Sequence, residues 1–434
     1  MATTLAAIQS ARERKRTGAE AMLSALPLPG GEAGWARAAR AAARGRFLEA
    51  GAPVRRDEYW KYTDPTKLTA PVEAAPASEA APELESQFGE VNPRRARFVD
   101  GCFRADLSDD LALDGLTVAP LGEVLHQDIS FARELFGQLE AAGSEKVARP
   151  LAALNTACAT EGLVLHATGP VPEAIHLRHD QTGDGATLTR HLIRVESGAS
   201  LMLLQSGVPT NEVIEVDVAD GGSFQHVRVQ TGERRPAAAH LFARLGAGSR
   251  CKTFTLTADG ELTRNEIVME FAGDDAVGHI AGAVLGKAAS HIDNTIFVTH
   301  GGVGCESRQV FKNVLADKAQ GVFQGKIFVR RPAQRTDGYQ ISQAVLLNEG
   351  AEFRVKPELE IWADDVKCSH GATTGRLDED AMFYLRARGI GRDEAEAMLV
   401  AAFAEQALME IEDETLADAM RAHIARWMAE RSAG

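Results

Sequence analysis

From about Arg94 to Gly375 the chain alternates apolar and polar residues in short runs broken by glycine-containing turns. "HLIRVESGASLMLLQSG", "NEVIEVDVADGGSFQHVRVQTG", "HLFARLGAGSRCKTFTLTADG" and "QAVLLNEGAEFRVKPELEIWADD" carry the pattern. A period of two predicts strands with one buried face. The turns at 197–200, 221–223, 246–249 and 349–352 each separate two such runs. The first three recur about two dozen residues apart, within the range of stacked coils. Strands at this spacing, with no helices between them, fit a sandwich, a barrel or a β-solenoid. The repeated turn between Val, Leu, Ile and Phe tips the balance toward a β-helix, whose coils bury their apolar faces only by stacking.

The period is helical at both ends. Residues 1–68 read as a helical domain, with "EAGWARAARAAARGRFLEAG" rich in Ala and Arg and stopped at Gly51. "RRDEYWKYTDPTKL" then gathers Tyr59, Trp60 and Tyr62. Residues 69–93 are rich in Pro, Ala and Glu; they read as a linker or as an extended segment lying across the body. The β core spans 94–375. Beyond it, 376–434 reads as helical: Ala395, Met398, Leu399, Ala402 and Met409 fall on one stripe, and Leu416, Met420, His423, Ile424 and Trp427 on another. Asp393 and Asp413 stand where N-caps belong. These two amphipathic helices either pack on the body or form a docking module for a partner.

Composition narrows the function. In 434 residues, 61 acids face 47 bases, and a net charge of −14 argues against a broad nucleic-acid surface. No apolar run is long enough to span a membrane, and "MATTLAAIQSARERKRTG" becomes charged too soon for a secretory signal, so a cytoplasmic location is expected. The five cysteines (Cys102, Cys158, Cys251, Cys305, Cys368) are widely spaced and contain no C-x-x-C pair; they form neither a disulfide framework nor a self-contained metal site. P-loop, dinucleotide, G-x-S-x-G and H-E-x-x-H motifs are absent. No catalytic constellation is displayed.

The chemistry-bearing residues are Cys368 and His370 in "DDVKCSHG". If "LEIWADDVKCSHG" continues as one strand, Glu360, Trp362, Asp364, Val366, Cys368 and His370 share a face, with Ile361, Ala363, Asp365, Lys367 and Ser369 opposite. Cys368 and His370 then lie roughly 7 Å apart at Cα, a workable span for two ligands of one metal. Thiolate and imidazole suit iron, zinc or copper(I), but two ligands are too few, so a second chain would have to complete the shell. The competing reading makes Cys368 a small buried hydrophobe and His370 a turn residue.

"DDVKCSHGATTGRLDEDAMFYLRARGI" resembles the C-terminal signature of the SufB/SufD family, scaffold proteins of the SUF iron–sulfur cluster assembly system. "CESRQVFKNVLADKAQGVFQGKIFVRRPAQRTDGYQ" and "VLLNEGAEFRVKPELEIWADD" are similar to the same family's core, and "EYWKYTD" to the N-terminal segment of its SufD branch. The likeness is strong over about 290–390 and looser across the β region. It implies a right-handed parallel β-helix between two helical domains. It further implies a complex in which a SufD-type subunit pairs with SufB and each binds one copy of the ATPase SufC, docked here on helices within 376–432. The family's interface His carries over onto His370, with Cys368 at the neighbouring position. The implied cargo is a transient iron–sulfur cluster or iron shared with SufB, with reduced flavin a participant at the level of the complex and no cofactor held tightly by this chain alone. Cys305 is expected to pack, and the first three cysteines receive no role.

Three functions follow. The leading one is a non-enzymatic scaffold for cluster assembly. The second is a solenoid enzyme acting on a polymer, with Asp337, Arg335 and Lys326 as its nearest candidate groups. The third is an adaptor that only holds SufC. An isolated chain with an unpaired β-helix edge is expected to self-associate, so a homodimer is also anticipated.

Overall fold

The computed structural model describes residues 2–76, 86–128, 130–231 and 235–433, with side chains described from Ala11 up to Ser432. Two long sheets run the length of the molecule, one of ten strands and one of nine among the described residues. Consecutive strands fall in alternate sheets, so the chain winds between them as a parallel β-solenoid. In one sheet Ala238 pairs with Arg264, Arg264 with Asp293, Asp293 with Val322 and Val322 with Arg354, steps of 26, 29, 29 and 32 residues. In the other, Ser200 pairs with Ser223 and Ser223 with Arg250, steps of 23 and 27 residues. The two-dozen-residue period in the turns is therefore the coil length. The first coil is closed differently: Arg94–Val99 pairs antiparallel with Cys102–Phe103, and Leu116–Pro120 antiparallel with Leu163–Ala167.

Alternation decides what each coil buries. Leu241, Ile267, Ile296 and Phe323 of one sheet meet Leu203, Phe224, Cys251, Ile280 and Phe311 of the other in the lumen. Corners are stapled by aspartates that accept from the backbone of a neighbouring coil. Asp220 accepts from Ala247 N at 2.7 Å, Asp274 from Val303 N at 2.8 Å and Asp317 from Ala288 N at 2.8 Å. Asp275 and Asp317 also adopt φ of 55° and 56°, a conformation Asp tolerates better than most residues.

Helices cover both outer faces. Ala2–Ser24 and Gly34–Ala50 pack with Pro150–Cys158 on the nine-stranded side, through Phe47, Leu151, Leu154 and Ala238. Pro150–Cys158 lies inside the stretch expected to be all β; it has Pro at its first turn and all nine residues are buried. Glu379–Ala387, Arg392–Leu408 and Glu414–Ala433 follow the last strand. Leu416, Met420, His423, Ile424 and Trp427 form the expected buried stripe and meet Val227, Phe254, Ala281 and Val310 of the ten-stranded sheet. The preceding helix differs from expectation. It buries Ala395, Val400, Ala404, Ala407 and Leu408 and leaves Met398 and Met409 exposed, because its contact face is set by the strands beneath it. Its N-cap is Gly391, so Asp393 sits in the first turn, whereas Asp413 does cap, accepting from Leu416 N at 3.1 Å.

Of the stretch read as a linker, 77–85 lies outside the described residues. On either side the chain lies against the body: Ala74 bridges to Ala186, and Phe88 is buried among the C-terminal helices. Tyr59 and Trp60 of the aromatic triplet form a clasp with Thr63. Arg264, fully buried, stacks 3.9 Å from the Trp60 ring while pairing with Glu266 at 2.6 Å and with Asp293. Thr63 donates to Asp293 at 2.5 Å, Gln324 donates to the Tyr59 carbonyl at 3.1 Å, and Tyr59 donates to Glu358 at 2.8 Å. Four successive coils are thus tied by one short segment, ending at the last strand of that sheet. Trp60→Ala is expected to cost about 3–5 kcal/mol by opening this contact over a buried guanidinium. Urea unfolding of the purified chain checks it, and a loss within error of zero would mean that the clasp carries no load.

Candidate functional site

The last two strands, Glu352–Ile361 and Val366–Gly375, end their respective sheets and leave one edge each unpaired. Between them the chain turns a corner at 362–365. Trp362 N donates to Val329 O at 2.9 Å, Asp365 N to Gln334 Oε1 at 2.9 Å and Arg335 N to Asp365 O at 2.6 Å. The corner corrects the single-strand reading of "LEIWADDVKCSHG". Glu360 and Trp362 do not share a face with Cys368, because the solenoid moves the chain from one sheet to the other between them.

Beyond the corner the alternation holds. Gly338 pairs with Cys368 and Gln340 with His370, and Gly338 and Gln340 are buried, so both chemistry-bearing residues occupy lumen-facing register at the open end. Lys367 and Ser369 take the outer face. Cys368 is half-buried, packed with Ile327, Val329 and Ala363, while His370 is exposed. Burial pushes the Cys368 thiol above its ordinary value and Asp337 adds to this, outweighing the Gly338 backbone contact. The protonated thiol is therefore favoured over the thiolate. No third His, Cys, Asp or Glu joins the pair into a ligand-sized group among the described residues. Two potential ligand groups, Cys368 and His370, stand at this edge.

The other candidates separate. Asp337 is exposed on the outer face of the ten-stranded sheet, Arg335 is exposed at the corner, and Lys326 pairs with Glu360 at 2.7 Å on the outer face of the other sheet. These outer faces point away from one another, so the trio forms no site. Cys251 and Cys305 pack in the lumen; burial raises the Cys251 thiol to about 12, and Cys305 Sγ donates to Gly273 O at 3.2 Å. Burial likewise raises Cys158, to about 11.

One cluster was not legible in the sequence. His179, His191 and Glu212 converge in the lumen near the closed end, with Glu212 Oε1 3.3 Å from His179 Nε2 and 3.7 Å from His191 Nε2. They come from three strands of two sheets, and only their lumen-facing parity hinted at it. The geometry does not suit a metal. Arg228 and Gln205 already donate to the two Glu212 oxygens, and Leu163 N donates to His191 Nδ1 at 3.2 Å, which puts the imidazole proton on Nε2, the atom that would have to ligate. Burial raises the Glu212 carboxyl, but Arg228 and the His179 hydrogen bond outweigh it and hold it well below the usual range. This is an internal polar hub that ties the two sheets together.

The fold and its open end define a class: a parallel β-solenoid protein, helix-covered on both faces, with a Cys–His pair at an unpaired last coil. The sequence profile described as "SUF system FeS cluster assembly, SufBD core domain" matches residues 177–403, more than half of the chain. The chain belongs to the SufBD family and has that family's role in iron–sulfur cluster assembly. Its relatives include iron–sulfur cluster assembly protein SufD of Escherichia coli, 28% identical over 87% of this chain and 90% of that protein. A SufBD family protein of Synechocystis is 29% identical over 83% of this chain and 84% of the relative. The chloroplastic protein ABCI7 of Arabidopsis thaliana is 26% identical over 86% and 82%.

The buried histidines make stability depend on pH. Burial pushes His176, His191 and His226 down to about 3, whereas the unfolded chain protonates them near 6.5. Below pH 6.5 the unfolded state binds more protons, so stability falls as pH falls, by roughly 1.4 kcal/mol per pH unit for each histidine until about pH 3. Urea midpoints measured between pH 7.5 and 5 are expected to drop steeply below 6.5. A flat profile would show that these imidazoles are not held neutral.

Proposed function

We propose that this protein is a non-catalytic scaffold subunit of a SUF-type complex in the cytoplasm. In this reading the open end pairs with a SufB-type partner, and iron or a nascent iron–sulfur cluster is held between the two chains. The observation that carries it is the Cys368–His370 pair, ligand-poor, lumen-facing and placed on an unpaired strand edge. An exposed edge of ten residues offers its free N–H and C=O groups to another strand. Trp362, 62% exposed, stands at the adjoining corner as an apolar anchor. The same edge would let the isolated chain pair with a second copy of itself.

The C-terminal helices support a second contact, with a SufC-type ATPase. Glu379–Ala387 buries none of its residues, and Phe383 and Tyr384 are 74% and 56% exposed. The two helices behind it are anchored to the solenoid and make a rigid base. ATP hydrolysis would come from that partner, since this chain contains no P-loop. Reduced flavin would act at the level of the complex, as the source of electrons.

The reading is tested with this chain co-expressed with SufB- and SufC-type partners and purified without air. His370→Ala is expected to leave the complex at its wild-type size while reducing bound iron and sulfide by about tenfold, the scale of losing one metal-site group. Cys368→Ser should do the same if the thiolate is a ligand. Full retention of iron and sulfide in both variants would leave this chain an adaptor for its ATPase.

A further inference from the structure

A cavity of about 180 Å³ lies on the outer face of the nine-stranded sheet, beside the Trp60 clasp. Leu188, Asn211 and Ala238 stand in one row of register there, and the next residue of that row is Arg264, beneath Trp60. Leu151 and Leu154 of the helix Pro150–Cys158 wall it on one side, and Met22 and Leu26 on another. Ala186 and Ala238 contribute single methyl groups, which leaves the space open.

The polar side chains of the wall are already spent. Asn211 donates to Leu151 O at 2.9 Å and accepts from Asn155 Nδ2 at 3.4 Å. Thr210 Oγ1 donates to Thr187 O at 2.9 Å and accepts from Thr187 N at 2.9 Å. What the interior can receive is therefore an apolar body. An apolar cavity of about 150 Å³ holds benzene, so a body of about six to eight carbons suits this one.

The mouth carries charge. Lys67 and Arg235 stand there with Val72 and Asp184. Lys67 pairs with Glu261, and Arg235 Nη2 donates to Asp184 at 3.0 Å. Arg235 Nη1 is buried and has no partner among the described residues. Asp100 lies near enough to feel the Arg235 charge, but its oxygens already accept from Thr182 and Gly183. The Asp184 side chain is fully exposed, and an ion pair of that kind holds weakly. A guanidinium with one nitrogen free and the other lightly held is a seat for a carboxylate.

We propose that this cavity binds a small monocarboxylate, with its apolar body of about six to eight carbons inside and its carboxylate on Arg235 Nη1. Such a ligand touches the N-terminal helical region, the helix Pro150–Cys158 and the sheet at once, and so tightens the cover beside the clasp. The site lies on the opposite sheet from Cys368 and His370 and does not depend on how that pair handles iron.

The test titrates the purified full chain calorimetrically with octanoate and with octan-1-ol, which has the same carbon chain and no charge. Wild type is expected to bind octanoate saturably at one site, and octan-1-ol at least about tenfold more weakly, the scale of one charged hydrogen bond. Arg235→Gln should weaken octanoate at least about tenfold and leave octan-1-ol unchanged. Ala186→Leu, which fills the cavity, should weaken both. Far-UV circular dichroism checks that each variant is folded; if Ala186→Leu is not, Arg235→Gln decides alone. No saturable octanoate binding by wild type overturns the proposal. Octan-1-ol binding as tightly as octanoate, or octanoate binding unchanged in Arg235→Gln, overturns it as well.

Discussion

Every coil of this protein depends on the next for its backbone hydrogen bonds. Parallel pairing in steps of 26–32 residues satisfies N–H and C=O groups from Val277 to Leu346 on one side and from Pro236 to Ile361 on the other. A stack built this way must stop somewhere, and where it stops an edge is left. At the start, antiparallel strands and helices close it. At the finish, Val366–Gly375 has no follower. Unpaired backbone is a liability unless a partner takes it, which makes the last coil the natural place for assembly.

The flanking helices make that end the exception. On one face the Tyr59–Trp60 clasp runs over four coils; on the other, Trp427 donates to Asp259 at 3.1 Å and His423 contacts the Gln87 carbonyl at 2.7 Å. Both outer faces of the solenoid are covered by the chain itself. The clasp reaches Glu358, so the strand that leads into the Cys–His corner is held from behind. An edge strand needs such backing, because unpaired backbone would otherwise fray and lose its geometry.

The lumen divides along its length. Near the closed end a polar hub around Glu212 has its charges matched: Arg228 on the carboxylate, Gln205 bridging, His191 held neutral. Toward the open end Gln309 and Gln340 are unmatched. Between them Gln230, Thr257, Asn265 and Asn294 form a further buried ladder that is matched. The matched set ties the two sheets together; in the unmatched set, Gln340 lies in register with His370.

Local pattern alone determined much of this. The two-residue alternation marked the strands, because a strand buries one face whatever its neighbours are, and the spacing of the glycine turns tipped the reading from a sandwich or barrel toward a solenoid. The Leu416–Trp427 stripe was legible for the same reason, and so was the shared face of Cys368 and His370, two residues apart on one strand. What the sequence could not fix was anything set by another coil. Glu360 was separated from Cys368 by a corner, Val400 replaced Met398 in the core, and Pro150–Cys158 folded as a buried helix within a β stretch. The convergence of His179, His191 and Glu212, and the alignment of Gln309 and Gln340 behind His370, come from register between coils about 30 residues apart. Register is a property of the stack, and only the tertiary structure decides it.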